Sequence, residues 1–301
     1  VKKKYLFEST VRIRDFECDM QGVVNNAYYH NLLEQTRTEF LESIGIDPKT
    51  WSKELGIDFV VYETEIQYRS PLQAGETFRS CLNLGREGAR FVFRQEFRRE
   101  ATDELCIKAR VDVVIAINER LTRGDYFQEY LEGKISVPIP HSSIVRSGSK
   151  GGAGKLDEVL FDYEMKVRDY ECNRFGAATN AFCQHYLEVT RFEFMEQMGA
   201  TFRQWHEAGI DLMVSKVDLK FISPMMSSEK FHSLMNVHQD GPRLIFSQEI
   251  RRKSDGGTCV VATVDVVSIV NGELSMGEIF TEFIKNYQEN IGQALNASSN
   301  A

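Results

Sequence analysis

The stretch CDMQGVVNNAYY, Cys18 to Tyr29, is answered later in the chain by CNRFGAATNAFC, Cys172 to Cys183. Both stand directly ahead of a run with helical spacing, and the second copy carries Asn173 where the first carries Asp19. Working outward, VRIRDFECD from Val11 pairs with MKVRDYECN from Met165, and EQTR from Glu34 with EVTR from Glu188. Gly45 and Gly199, Trp51 and Trp205, the GID triplets at Gly56 and Gly209, and Ser70-Pro71 and Ser223-Pro224 follow in the same order. So do Arg90 and Arg243, Gln95-Glu96 and Gln248-Glu249, Arg98-Arg99 and Arg251-Arg252, the VDVV runs at Val111 and Val264, and Gly124 and Gly277. The offset is 154 residues as far as the tryptophans and 153 from the GID triplets onward, so one deletion accounts for the register. The chain is one domain written twice. The expected boundaries are 5–133 for the first domain and 158–290 for the second. A linker over 134–157, rich first in proline and then in Gly and Ser, joins them.

Each copy opens with a strand, expected over about 5–14 in the first, then a polar loop and a helix of about four turns starting near Asn26. Tyr29, Leu33, Thr36, Phe40 and Ile44 recur on one helical face, as do Cys183, Leu187, Thr190, Phe194 and Met198. Runs rich in β-branched and aromatic residues over 57–69, 76–87, 90–100 and 104–118 predict hairpin-connected strands. One long helix with a meander of strands is an α+β pattern in which the helix covers one face of an antiparallel sheet.

Composition narrows the function classes. With 301 residues, 42% of them hydrophobic and 27% charged, the sequence reads as a soluble globular protein. No apolar run approaches the roughly 18 residues of a membrane span. A formal net charge of -8 disfavours a nucleic-acid surface. The six cysteines contain no C-x-x-C pair and read as reduced core residues. The expected location is cytoplasmic, with a plastid after removal of a transit peptide as the alternative.

The loop wording D-x-x-G-V-V-x-N-x-x-Y, the helix ending E-x-x-R-x-E-F-L-E-x-x-G and the Ser-Pro between the first strands resemble the hotdog-fold thioesterases of the 4-hydroxybenzoyl-CoA thioesterase type. Val167 to Glu196 is similar in wording to the plant acyl-lipid, or acyl-carrier-protein, thioesterases of that type. The resemblance implies a tandem hotdog fold, with two copies paired edge to edge on one chain as an intramolecular pseudo-dimer. It implies hydrolysis of acyl-CoA or acyl-carrier-protein thioesters without metal or organic cofactor, and it gives Asp19 the role of catalytic carboxylate.

That role agrees with the chemistry of the residues. Thioester hydrolysis needs a carboxylate that attacks the carbonyl or activates a water, and donors for the developing oxyanion. Asp19 supplies the first. Gly22, Val23, Asn25, Asn26 and Tyr29 form the substrate and oxyanion region, where the start of a helix offers backbone N–H groups. Glu34, on the helix, is the second carboxylate candidate; with Arg37 it is also spaced for an intrahelical pair. Asn173 is neutral and cannot act as base, so Asn173, Gly176 and Asn180 mark a degenerate equivalent. Asp169 and Glu171 are alternative carboxylates there, although Asp15 and Glu17 hold the same places in the intact half. Arg90, Arg98, Arg99, Arg243, Arg251 and Arg252 are candidates for coenzyme A or phosphopantetheine phosphates. Tyr28, Tyr29, Leu32, Phe59 and Val60 are candidates for an acyl-lining seam, against ordinary core. A non-catalytic acyl-thioester-binding or lipid-binding protein on the same fold is the alternative function. No histidine recurs between the halves, which speaks against a repeated His-centred mechanism.

Overall fold

The computed structural model describes residues 4–135, 138–142, 156, 158–199 and 201–281. Most of the expected linker and the second domain beyond residue 281 therefore lie outside the described residues. By packing, the chain falls into two compact units. Unit 1 is Val1–Gly152 together with Thr179–Gln184 and Asp218–Ile222; unit 2 is Ala153–Ala178, His185–Val217 and Ser223–Ala301.

In the first repeat, β1 (Phe7–Arg12) leads through the polar loop to α1 (Tyr28–Ser43). After α2 (Pro48–Leu55) come β2 (Ile57–Tyr68), β3 (Thr77–Glu87), β4 (Arg90–Arg99) and β5 (Leu105–Ile117). The short β6 (Arg120–Leu121), α3 (Asp125–Lys134) and β7 (His141–Ser142) follow. The main strands lie in the order β1-β3-β4-β5-β2, each pair antiparallel. The four long runs expected from sequence become four strands, with ends differing by a residue or so.

Helix α1 lies against this sheet because its apolar stripe matches the alternation of the strands. Leu33, Phe40, Phe78, Phe93 and Phe97 are among the most deeply buried side chains. Phe40 packs edge-on to Phe7 and Phe93, at 6.0 and 6.4 Å between ring centroids. Fully burying side chains of this size contributes roughly 1.5–3 kcal/mol each. Polar bonds fix the helix on the sheet: Thr36 Oγ1 meets Ser80 Oγ at 2.5 Å, and Arg37 Nη1 donates to Gln95 Oε1 at 3.0 Å. Gln95 Nε2 in turn donates to the Leu33 carbonyl at 3.0 Å.

Helix α2 was not anticipated. Asp47 caps it by accepting from Lys49 N at 3.1 Å and Thr50 N at 3.2 Å, and Pro48 fits the first turn, where no N–H is needed. Its buried Trp51 stacks edge-on against Tyr130 of α3 at 4.9 Å, so these two short helices close one end of the core together.

The second repeat rebuilds the plan with β8 (Phe161–Lys166), α4 (Asn180–Gln197), α5 (Phe202–Glu207), β9 (Ile210–Phe221), β10 (Lys230–Asp240), β11 (Arg243–Arg252), β12 (Thr258–Val270) and β13 (Glu273–Leu274). Its strand order is β8-β10-β11-β12-β9. The polar bonds are rebuilt as well. Thr190 donates to Ser233 at 2.6 Å, Arg191 to Gln248 at 2.6 Å, and Gln248 to the Leu187 carbonyl at 2.9 Å. Among the described residues no helix is long and apolar enough to cross a membrane.

Candidate active site

Asp19 sits half-buried in a tight loop between β1 and α1. Its N–H donates to the Val23 carbonyl at 2.9 Å, its carbonyl accepts from Gly22 N at 2.9 Å, and its Oδ1 accepts from Gln21 N at 2.9 Å. Gly22 turns this loop at φ +76°, a conformation that favours glycine. A Cβ there would meet nothing within 4 Å, so the glycine serves the turn. The loop is anchored by the buried Glu17, whose Oε2 accepts from Arg14 N at 2.7 Å, and by Val24 N donating to the Leu72 carbonyl at 2.8 Å.

The donors expected at the helix start are partly committed already. Asn25 N donates to the Glu17 carbonyl at 2.9 Å, Ala27 N to Asn25 Oδ1 at 2.9 Å, Tyr28 N to the Asn25 carbonyl at 3.0 Å, and His30 N to the Ala27 carbonyl at 3.1 Å. Among the described residues the N–H groups of Val23 and Asn26 enter none of these backbone–backbone bonds. Tyr68 secures the same place by donating to the Asn26 carbonyl at 3.2 Å.

Tyr29 turns inward. Its ring packs on Tyr68 at 5.3 Å and Phe97 at 6.2 Å, and burial raises its phenol pKa. Phe59 lies elsewhere on β2, against Trp51 at 6.1 Å and Phe127 at 5.1 Å. Nine residues of extended strand separate Phe59 from Tyr68, roughly 30 Å. Tyr28, Tyr29, Leu32, Phe59 and Val60 thus do not form one continuous lining: Tyr29 and Leu32 are core, Val60 is exposed, and Tyr28 packs on Phe16.

Glu34 is exposed on α1. Arg37 is buried and bonded to Gln95, and burial lowers its guanidinium to about 10, with the charge of Glu34 opposing the shift. It stays cationic at neutral pH. Beside Asp19, burial and then the Asp19 charge push the Cys18 thiol up, which keeps it protonated and unreactive.

The six arginines proposed for phosphates all carry carboxylate partners. Arg90 reaches Glu63 at 3.4 Å and Asp112 at 3.3 Å; Arg98 pairs with Glu96 at 2.9 Å; Arg99 pairs with Glu76 and with Glu104 at 3.1 Å. In the second repeat Arg243 pairs with Asp265 at 2.9 Å and with Asp240, Arg251 with Glu249 at 2.7 Å, and Arg252 with Glu229 at 3.2 Å and Asp255 at 3.0 Å. Neutralisation of this kind, across strands for Arg90 and within one strand for Arg98 and Arg251, gives these side chains a role in the sheet and reduces the charge left for a ligand.

The second loop copies the first. Asn173 N donates to the Ala177 carbonyl at 2.8 Å, Gly176 N returns to Asn173 at 2.9 Å, and Asn173 Oδ1 accepts from Phe175 N at 2.9 Å and Ala177 N at 3.3 Å. Asn180 begins α4, and Gly176 repeats the positive φ at +77°. The alternative carboxylates of this half are engaged locally. Glu171 Oε2 accepts from Arg168 N and from the Tyr186 hydroxyl, both at 2.5 Å, and Asp169 accepts from Ser227.

From sequence His30 reads as a solvent or packing residue near the helix start, and Gln184 is not singled out. His30 is buried, and its Nε2 lies 2.6 Å from Oε1 of the buried Gln184. The repeat offset held the available signal: these residues occupy the same register, one on each long helix, and differ in type.

Residues 11–141 match the family model described as the thioesterase-like superfamily. Over 82 residues the chain is 38% identical to an Arabidopsis thaliana protein named as a chloroplastic acyl-acyl carrier protein thioesterase, a match covering 27% of this chain and 42% of that one. The chain thus spans less than half the length of this curated relative. In fold it is similar to a putative oleoyl thioesterase from Lactobacillus plantarum, with a TM-score of 0.70 at 11% identity over 87% of this chain and 96% of that one. The 12:0-ACP thioesterase from Umbellularia californica gives a TM-score of 0.69 at 13% identity, over 87% and 94% of the two chains. The solved structures show the hotdog α+β fold, and the similarity to the thioesterase-like superfamily lies in residues 11–141.

Proposed function

We propose that the chain hydrolyses acyl thioesters of coenzyme A or of an acyl carrier protein, releasing a free acid and a thiol, with Asp19 as nucleophile or general base. As nucleophile, its carboxylate oxygen bonds to the thioester carbon and the C–S bond breaks to expel thiolate. Water then hydrolyses the mixed anhydride and returns the carboxylate. As base, it takes the proton of a water that attacks the same carbon. The N–H groups of Val23 and Asn26, which make no backbone–backbone bond in the loop, are the candidate donors for the oxyanion.

One observation carries this reading. Asp19 Oδ1 and Asn173 Oδ1 make the same loop hydrogen bond, each accepting at 2.9 Å from the N–H two residues on. The loop needs an oxygen there and does not need a charge, which leaves the charge of Asp19 for chemistry and supports Asn173 as its degenerate counterpart. A panel of acyl-CoAs and acyl carrier proteins, assayed by thiol release, tests the reading; turnover of none of them contradicts it. Thioester binding without turnover would favour the acyl-binding protein, the reading that Asn173 supports in its own half.

The same account takes 5–133 and 158–290 as two duplicated domains paired within one chain. Cleavage inside 134–157 should leave two fragments that co-elute on size exclusion. Fragments that separate would contradict the pairing.

A further inference from the structure

We infer that Gln184 gives the Asp19 site a further donor, its Nε2 holding the carbonyl oxygen of the bound thioester; this rests on the acyl-thioester reading above. Gln184 comes from the second repeat, yet it packs within unit 1, in the segment Thr179–Gln184. The residue is 1% exposed. Its Oε1 accepts from His30 Nε2 at 2.6 Å, which turns the NH2 end of the amide away from the ring. That end, Nε2, is buried and has no hydrogen-bond partner among the described residues. A buried amide donor left unmade costs stability, and native proteins keep such a group where something else satisfies it.

Its surroundings identify the missing acceptor. His30 lies in the first turn of α1, four residues after Asn26, a spacing that puts the two on one side of the helix start. The Asn26 N–H makes no backbone–backbone hydrogen bond in the loop. Through His30 the unsatisfied amide is tied to the first turn of α1, which directly follows the stretch expected to receive the oxyanion. An acceptor oxygen carrying developing negative charge fits such a donor, and a preorganised amide needs no rearrangement to meet it. Fixed by His30 at one end, the Gln184 amide presents only N–H at the other.

Two non-hydrolysable probes separate this role from packing. One is the ketone analogue of a medium-chain acyl pantetheine, in which a methylene stands between sulfur and carbonyl; the other is the plain alkyl thioether, which has no carbonyl. In the full chain, Gln184→Leu should weaken the ketone analogue by about tenfold, the scale of one hydrogen bond, and leave the thioether unchanged. Gln184→Glu keeps the size and the acceptor facing His30 while removing the donor, and should do the same. An unchanged ratio of the two affinities in both variants overturns the inference, as does an equal loss for both probes. A parent protein that binds neither probe overturns the acyl-thioester reading itself.

Discussion

The loops at Asp19 and Asn173 share a backbone, a glycine at φ +76° and +77°, and a side-chain oxygen accepting from the N–H two residues on. They part company at the charge. The scaffold around them shows the opposite behaviour: Thr36, Arg37, Ser80 and Gln95 bind helix to sheet in one repeat, and Thr190, Arg191, Ser233 and Gln248 do so in the other. These kept groups are buried and hydrogen-bonded between helix and sheet, so their loss should destabilise the domain. The repeats exchange Asp19 for Asn173, His30 for Gln184 and Glu63 for Lys216.

The largest expected effect comes from truncating the loop side chain. Asp19→Ala removes both the charge and the loop bond, so thioester turnover should fall by about 10² to 10⁴. Stability should fall by about 1 kcal/mol. Asn173→Ala should show the same loss of stability by urea unfolding and little loss of turnover. Equal loss of turnover in the two variants would break the distinction between the repeats.

Next come the shared bonds between helix and sheet. Gln95→Leu strands the buried Arg37, and Gln248→Leu strands Arg191; each should cost about 1–3 kcal/mol. The two costs should be similar. A tolerated change in one repeat would show that its helix is held some other way. Smaller again, Gly22→Ala and Gly176→Ala force a side chain into positive φ in open or nearly open space and should each cost about 1 kcal/mol.

Glu63 gives the smallest effect and a pH dependence. Burial, the largest influence, raises its pKa above the ordinary value, although Lys220 and Arg90 oppose the shift. An acid with a raised folded pKa is costly once the pH exceeds its unfolded pKa, and the cost is complete above the folded one. Glu63→Gln should therefore raise the melting temperature at neutral pH and lose that advantage in acid, where Glu63 is itself protonated. Destabilisation at neutral pH would mean that Arg90 and Lys220 outweigh burial.

Much of the fold could be read from the sequence because the signals were periodic and duplicated. The strands alternate, α1 repeats at helical spacing, and each feature occurs twice. Helix α2 escaped because eight residues give too little periodicity, although Asp47-Pro48 at its start and Gly56 at its end are ordinary boundary residues. The carboxylate partners of the candidate phosphate-binding arginines were hidden for a different reason. Several of their carboxylates come from other strands, as Arg90 meets Glu63 of β2 and Asp112 of β5, and sequence alone does not reveal that register. His30 and Gln184 meet across 154 positions, a contact that only folding brings together.

Asp19→Asn tests the central claim most directly, because it gives the first loop the neutral side chain of the second while keeping the oxygen that accepts the loop bond. Turnover of the best thioester substrate and the free energy of unfolding would be measured on the same preparation. The account predicts a rate lower by about 10² to 10⁴. It predicts stability within about 0.5 kcal/mol of the parent. Turnover equal to the parent's would contradict it and shift the search for the catalytic carboxylate to Glu34.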